Sequence, residues 1–226
     1  MVYRNEIKHF LSPGDKAAVI ASLSRVMRPD PHAGPSGCYR IRSLYFDDLW
    51  DTALREKRSG VSRREKFRIR YYNDDFSYIV LEKKMKIDRL CLKYSAVITE
   101  EECRRILRGD TGFMRAHPDD LVRELYAKMQ YQRLKPRVLV SYIREPYIYA
   151  AGNVRVTFDS QIRTTLFHRR FPEEQVYDIS ATDTPQEMIL EVKYDAFLPA
   201  VIQDLIQVKG IRQHAFSKYA ASRRFG

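Results

Sequence analysis

The chain has 226 residues, 44% of them hydrophobic and 31% charged, and its 40 Lys and Arg against 29 Asp and Glu give a formal net charge of +11. This profile excludes a disordered chain, and no apolar run approaches the roughly 18–20 residues of a membrane-spanning helix. Cys38, Cys91 and Cys103 are odd in number and lack the spacing of a disulfide framework or a zinc site, which predicts a reducing, cytoplasmic location.

No repeat or low-complexity segment interrupts residues 1–226, so a single domain is expected. The charged opening MVYRNEIKHFL predicts no signal peptide. A first strand is predicted at 2–10. Ser12-Pro13 then reads as an N-cap with proline at the first helical position, and Ala17, Val19, Ile20, Leu23 and Val26 form a helical stripe to about Met27. Residues 28–37, rich in Pro and Gly, read as a loop. Strands are predicted at 39–47, 65–73, 77–86 and 90–98, with a tight hairpin at Asn73-Asp-Asp75. Thr99-Glu-Glu-Glu102 is a capping box for a helix that Gly109 ends, and Asp119 or Asp120 opens another reaching about Leu134. Strands follow at 137–149, 153–159 and 188–194, then helices at 199–208 and 213–223. Many antiparallel strands with a few helices predict an α+β protein, compatible with a barrel.

Side chains alternate across a strand, so parity locates the charge. One face of 66–72 carries Lys66, Arg68 and Arg70, and the other carries Phe67, Ile69 and Tyr71. The same alternation groups Arg4, Glu6 and Lys8; Glu82, Lys84 and Lys86; Tyr142 and Arg144; Arg155, Thr157 and Asp159; and Glu191 and Lys193. A sheet with one wet face would alternate in this way too. Recurrence on at least six strands, with Glu two residues before Lys on three of them, favours a closed sheet with a basic lumen. Such a lumen repels itself unless an anion neutralises it. Arg and Lys grip phosphate, while scattered carboxylates suit Mg²⁺ or Mn²⁺.

In order, Arg4-x-Glu6-x-Lys8, Ser43-Leu-Tyr-Phe-Asp47, Lys66-x-Arg68-x-Arg70, Glu82-x-Lys84, Tyr142-x-Arg144, Arg155-x-Thr-x-Asp159, Glu191-Val-Lys193 and Ser217-Lys218-Tyr219 span nearly the whole chain. Together they resemble the vacuolar transporter chaperone (VTC) domain of the triphosphate tunnel metalloenzymes, in its stand-alone bacterial-type version. The resemblance implies an eight-stranded antiparallel β-barrel tunnel with helices packed outside. It also implies a polymerase that transfers the γ-phosphate of ATP to inorganic polyphosphate, with Mn²⁺ or Mg²⁺. Carried over by position, Lys8, Arg68, Arg70, Lys84, Arg144, Arg155 and Lys218 would act on the reacting phosphates. Lys93, Tyr142, Lys193, Ser217 and Arg4 would bind substrate. Glu191 would be the main metal ligand, with Glu6, Glu82 and Asp159 as further candidates. Arg4 stands where the wider superfamily often has a first Glu, which favours polymer handling over hydrolysis of small triphosphates.

Two other functions stay open on the sequence: a triphosphate or polyphosphate hydrolase on the same fold, and a non-enzymatic polyanion binder. Nucleic acid is not the expected partner, because the tyrosines flank basic residues without an RNP-like motif. His9, His32, His117, His168 and His214 lack metal-ligand spacing. Asp47 and Asp48 read either as caps or, for Asp47, as a tunnel residue, and Trp50 reads as packing. The run Arg55-Glu-Lys-Arg58 with Arg63-Arg64 reads as solvated surface or as a tunnel mouth. Arg169-Arg170 and Arg223-Arg224 read as surface charge. Oligomeric state is not legible.

Overall fold

Segments rich in Val, Ile, Tyr and Phe with alternating charge form strands at all eight predicted places. The structure, a computed structural model, describes residues 4–88, 90–165, 179–184, 186–207 and 216–224. His168, Arg169, Arg170, His214 and the start of the helix predicted at 213–223 lie outside them. The strands are β1 (Asn5–Leu11), β2 (Arg28–Pro29), β3 (Tyr39–Asp47), β4 (Arg63–Tyr72), β5 (Asp75–Ile87), β6 (Leu90–Ile98), β7 (Lys135–Tyr149), β8 (Val154–Thr165), β9 (Ile179–Ser180) and β10 (Met188–Tyr194). The helices are α1 (Pro13–Leu23), α2 (Thr52–Arg58), α3 (Glu100–Arg108), α4 (Asp120–Tyr131), α5 (Ala200–Leu205) and α6 (Lys218–Ser222).

Local chemistry sets the boundaries. Ser12 and Asp15 exchange bonds at the start of α1, with Asp15 N donating to Ser12 Oγ at 3.2 Å and Ser12 N donating to Asp15 Oδ2 at 3.0 Å. Thr99 and Glu102 do the same for α3, which Gly109 ends at a φ of 81°. Between β4 and β5 the two turn residues Asn73 and Asp74 have φ of 50° and 58°, the paired left-handed geometry that matches strand twist in a two-residue hairpin. Helix α4 stops at Tyr131, short of the expected Leu134: Arg133 is left-handed, and Lys135 must be extended before Pro136.

All main pairings are antiparallel, in the order β1-β10-β8-β7-β3-β4-β5-β6, with β2 and β9 as short additions to β7 and β8. The hydrogen-bonded path does not join β6 to β1 among the described residues, so the ladder is open where a barrel was expected. The sheet nevertheless curls until Lys84 Nζ on β5 donates to Glu6 Oε2 on β1 at 3.0 Å. Its twist brings the two ends together, and the Lys84–Glu6 salt bridge spans the seam.

The convex face is apolar and covered. Phe67, Ile69, Leu81 and Ile98 pack under Cys103, Ile106, Leu121 and Leu125 of α3 and α4. Val156, Phe158, Leu190 and Val192 pack under Val19 and Leu23 of α1, Ile202 within α5 and Ile206 just after it. Each such side chain contributes roughly 1.5–3 kcal/mol by leaving water. Helix α6 departs from the outside-helix pattern. Tyr219 joins Ile41, Tyr45, Val140, Tyr142 and Ile189, residues that share strand faces with the charged set, so α6 lies on the concave side and fills its apolar part. No described helix is long and apolar enough to cross a membrane.

Candidate functional site

Three adjacent strands set lysines directly opposite one another. Lys66 on β4 faces Lys84 on β5, and Lys84 faces Lys93 on β6. Like charges at such positions are destabilising. At about 6 Å and an effective dielectric of about 20, each pair costs roughly 3 kcal/mol. Carboxylates relieve two of the three: Glu6 accepts from Lys84, and Glu82 Oε1 accepts from Lys93 Nζ at 3.2 Å. Lys66 has no carboxylate partner among the described residues. Burial first, then Lys84, Arg68 and Lys8, bring its ammonium down to about 7 against the opposing pull of Tyr45.

Arg68 and Arg70 continue the same row. Glu82 Oε2 accepts from Arg68 Nε at 2.6 Å and lies 3.7 Å from Arg70 Nη1. Arg70 also donates to Ser43 Oγ at 3.0 Å and to the Tyr142 hydroxyl at 3.2 Å. Arg68 donates to the Tyr45 hydroxyl at 3.1 Å. Burial pushes the Tyr45 phenol up, but Arg68, Lys66 and Arg70 outweigh it and hold the phenol at about 7. These contacts fix both guanidinium planes, which a flexible surface arginine would lack.

The opposite wall is a denser network. Arg144 Nε and Nη2 grip the two oxygens of Asp159 at 2.7 Å each, and Arg144 Nη2 also donates to Glu191 Oε2 at 3.2 Å. Lys218 of α6 pairs with Asp159 Oδ2 at 2.5 Å and sits 4.6 Å from the centre of the Tyr142 ring. Glu191 further meets Lys193 at 3.1 Å and Lys8 at 3.9 Å, while Lys8 meets Glu6 at 2.6 Å. Asp159 is 0% and Glu191 5% exposed, so these charges have left water. Burial alone would raise both carboxyls, but Arg144 and Lys218 hold Asp159 low, and Lys193, Lys8 and Arg144 hold Glu191 well below the usual range. Glu6 falls to about 2, with Lys8 and Lys84 outweighing burial and the neighbouring Glu191. Lys193 drops to about 8: Glu191 favours its charge, but burial, Arg144 and Lys84 prevail.

The concave face thus carries Lys8, Lys66, Arg68, Arg70, Lys84, Lys93, Arg144, Lys193 and Lys218 against Glu6, Glu82, Asp159 and Glu191. Cations exceed carboxylates, and burial together with that surplus lowers the ammoniums of Lys66 and Lys193. A polyanion removes that frustration directly.

Three sequence-derived candidates sit elsewhere or act locally. Arg4 Nε pairs with Asp195 at 3.0 Å on the rim. Arg155, opposite Lys193 on the paired strand, donates from Nη2 to the Tyr39 hydroxyl at 2.9 Å and pairs with Asp30 at 2.8 Å. Ser217 caps α6 by accepting from Ala220 N at 3.4 Å, which orients Lys218. Lys66 and Tyr45 stand inside motifs legible in the sequence but carry no role assigned there, and Lys57 belongs to the run Arg55-Glu-Lys-Arg58 expected as solvated surface or a tunnel mouth. Helix α2 brings Lys57 near Arg64, Lys8 and Lys86, which together with burial lower its ammonium. No periodicity announces α2, because Asp47 caps it from five residues upstream, accepting from Ala53 N at 2.9 Å and Leu54 N at 3.1 Å. Asp47 also accepts from the Tyr219 hydroxyl, so one buried carboxylate ties α2 and α6 to β3.

A divalent metal would have to use this donor set. No group of three or more His, Cys, Asp or Glu that could hold one occurs among the described residues. Glu6 and Glu191, however, stand on paired strands, influence one another and share Lys8, and both remain ionised. They fit a Mg²⁺ or Mn²⁺ that takes one or two protein oxygens and completes its shell from phosphates and water. All four carboxylates are engaged by cations, Glu82 by Arg68 and Lys93, Asp159 by Arg144 and Lys218, Glu6 by Lys8 and Lys84, and Glu191 by Lys193 and Arg144, so a metal at Glu6 and Glu191 would displace lysines that a phosphate chain can take up.

A family model described as the VTC domain matches residues 3–225. A search of the curated proteins finds no match. Among solved structures, the chain is similar to an adenylate cyclase-like protein of Bacillus halodurans, at 13% identity and a TM-score of 0.50, covering 90% of this chain and 87% of that one. It is also similar to the PH1819 protein of Pyrococcus horikoshii, at 13% identity and a TM-score of 0.49, covering 99% of this chain and 100% of that one. The first likeness shows a shared tunnel-type fold.

Proposed function

The chain belongs to the VTC domain family of triphosphate tunnel proteins, and from that premise we propose that it is a polyphosphate polymerase using ATP. The observation that carries the proposal is the row Lys66-Arg68-Arg70 beside Lys84 and Lys93, five cations that share only Glu82 and Glu6, a surface whose surplus charge calls for a chain of phosphates. A terminal oxygen of the acceptor polyphosphate attacks the γ-phosphorus of ATP. The bond from that phosphorus to the β,γ-bridging oxygen breaks, and ADP leaves with the electron pair while the acceptor grows by one phosphate. No protein nucleophile is needed, so catalysis consists of alignment and neutralisation of charge. Arg68 and Arg70, with their planes fixed, hold equatorial phosphate oxygens. Lys8, Lys193, Arg144 and Lys218 hold the phosphates along the opposite wall, and Lys84 holds them at the seam between the two. Glu191 and Glu6 would hold Mn²⁺ or Mg²⁺, which supplies further neutralisation on the phosphate oxygens. Tyr142 orients Arg70, and Lys93 extends the row toward the seam.

Purified protein given ATP, Mn²⁺ and a short polyphosphate primer is expected to release ADP and lengthen the primer, read by gel electrophoresis of the polymer. Orthophosphate release without chain growth would make the protein a hydrolase. Binding of the primer without turnover would make it a polyanion-binding module.

A further inference from the structure

Beside the phosphate row lies a cavity of about 440 Å³, within the roughly 300–1,000 Å³ of small-molecule sites. Lys66 is among its lining residues, with Glu65 and Phe67 of the same strand and Lys128 and Tyr131 of α4, so the cavity adjoins β4 at the residue where the row begins. Its character is opposite to that of the tunnel. Phe46 supplies an apolar wall, and Trp50 and Tyr131 stand at the rim, 63% and 88% exposed. Trp50 therefore does not pack into the core as the sequence suggested, and its ring is free to meet a ligand. Its backbone is held firmly, with Trp50 N donating to Asp48 Oδ1 at 3.0 Å.

The polar groups of the cavity include four carboxylates, beside Thr52, Lys66, Lys128 and Gln132. Asp47 and Asp48 are engaged by backbone amides, and Glu65 by Lys128 at 2.5 Å. Glu56 lines the cavity half-buried, and its carboxylate has no hydrogen bond or ion pair among the described residues. Burial, then Glu65 and Asp47, raise it above its usual range. Four carboxylates around one cavity repel phosphate. They suit a neutral group rich in N–H and O–H donors that also has a flat face for Trp50.

We propose that this cavity holds the nucleoside end of ATP, with Trp50 stacking on the base, Glu56 accepting from ribose or exocyclic amine, and Lys66 marking where the triphosphate passes into the tunnel. The inference rests on the nucleotide-using reading above and adds a base-and-sugar subsite to it. It divides the substrate by charge, the anionic part on the basic wall and the donor-rich part among the carboxylates.

Trp50 is the only tryptophan of the chain, so its fluorescence reports this cavity alone. Metal-free ATP and tripolyphosphate are titrated into the full chain and into Trp50→Ala and Glu56→Gln, with binding read by calorimetry. ATP is expected to change Trp50 emission, and tripolyphosphate to bind without doing so. Trp50→Ala should weaken ATP about tenfold, the equivalent of about 1.4 kcal/mol of stacking, and leave tripolyphosphate unchanged. Glu56→Gln should weaken ATP and not tripolyphosphate. Equal emission changes with both ligands, or variants that bind ATP as well as the parent does, overturn the nucleoside subsite while the tunnel reading stands. Failure of tripolyphosphate to bind would overturn the tunnel reading itself.

Discussion

Arg144→Ala is expected to lower the melting temperature by roughly 6–20 °C. Arg144 holds both oxygens of the fully buried Asp159 and also reaches Glu191. Removing one partner of a buried pair leaves the other charge unpaired, at a cost of about 3–5 kcal/mol. A chain of this length loses about 2–4 °C per kcal/mol. Lys218 keeps its bond to Asp159, which places the loss toward the lower half of the range. Lys66→Met supplies the opposite sign in the same protein. It removes a cation that faces Lys84 and has no carboxylate partner among the described residues, so the unliganded protein should gain stability. Thermal unfolding of both variants decides the matter. Equal shifts in the same direction would mean that the concave charges are not arranged as pairs on one wall and surplus on the other.

Glu191→Gln is expected to cut metal-dependent turnover by about 100-fold or more while leaving tripolyphosphate bound. Glu191 has three cations about it, Arg144, Lys193 and Lys8, and it stands beside Glu6 on the paired strand. The neutral amide withdraws a ligand from the metal and at the same time frees those three cations for phosphate. Turnover and anion affinity should therefore move apart, the first falling and the second holding or rising several-fold. A variant with unchanged turnover would make Glu191 a counter-ion only. Loss of both properties together would point to a collapsed tunnel wall.

Much of this architecture was legible because strand parity is a rigid rule. Once Lys66, Arg68 and Arg70 alternate with Phe67, Ile69 and Tyr71, one face must be wet or ligand-filled and the other buried. Capping chemistry placed α1 and α3 with similar security, because Ser12 and Thr99 carry their signals locally. Long-range features were not legible. The capping of α2 by Asp47 depends on how the chain returns after β3, and the burial of α6 inside the curl depends on Tyr219 meeting Asp47 from 172 residues away. The reach of Arg155 to Asp30, rather than toward the Glu191 group, depends on where the loop after α1 comes to rest. The exposure of Trp50 had no signature either, since a lone tryptophan is more often buried than presented.

The central claim is that the basic concave face is a preformed site for a chain of phosphates, and thermal unfolding in the presence of tripolyphosphate tests it most directly. Tripolyphosphate at 100 times its dissociation constant should stabilise the fold by roughly 2.7 kcal/mol, a rise of about 5–11 °C for a chain of this length. Orthophosphate at the same concentration should do far less, because one phosphate cannot span Lys66, Arg68 and Arg70. A melting temperature unmoved by millimolar tripolyphosphate, or moved equally by both anions, would contradict the claim.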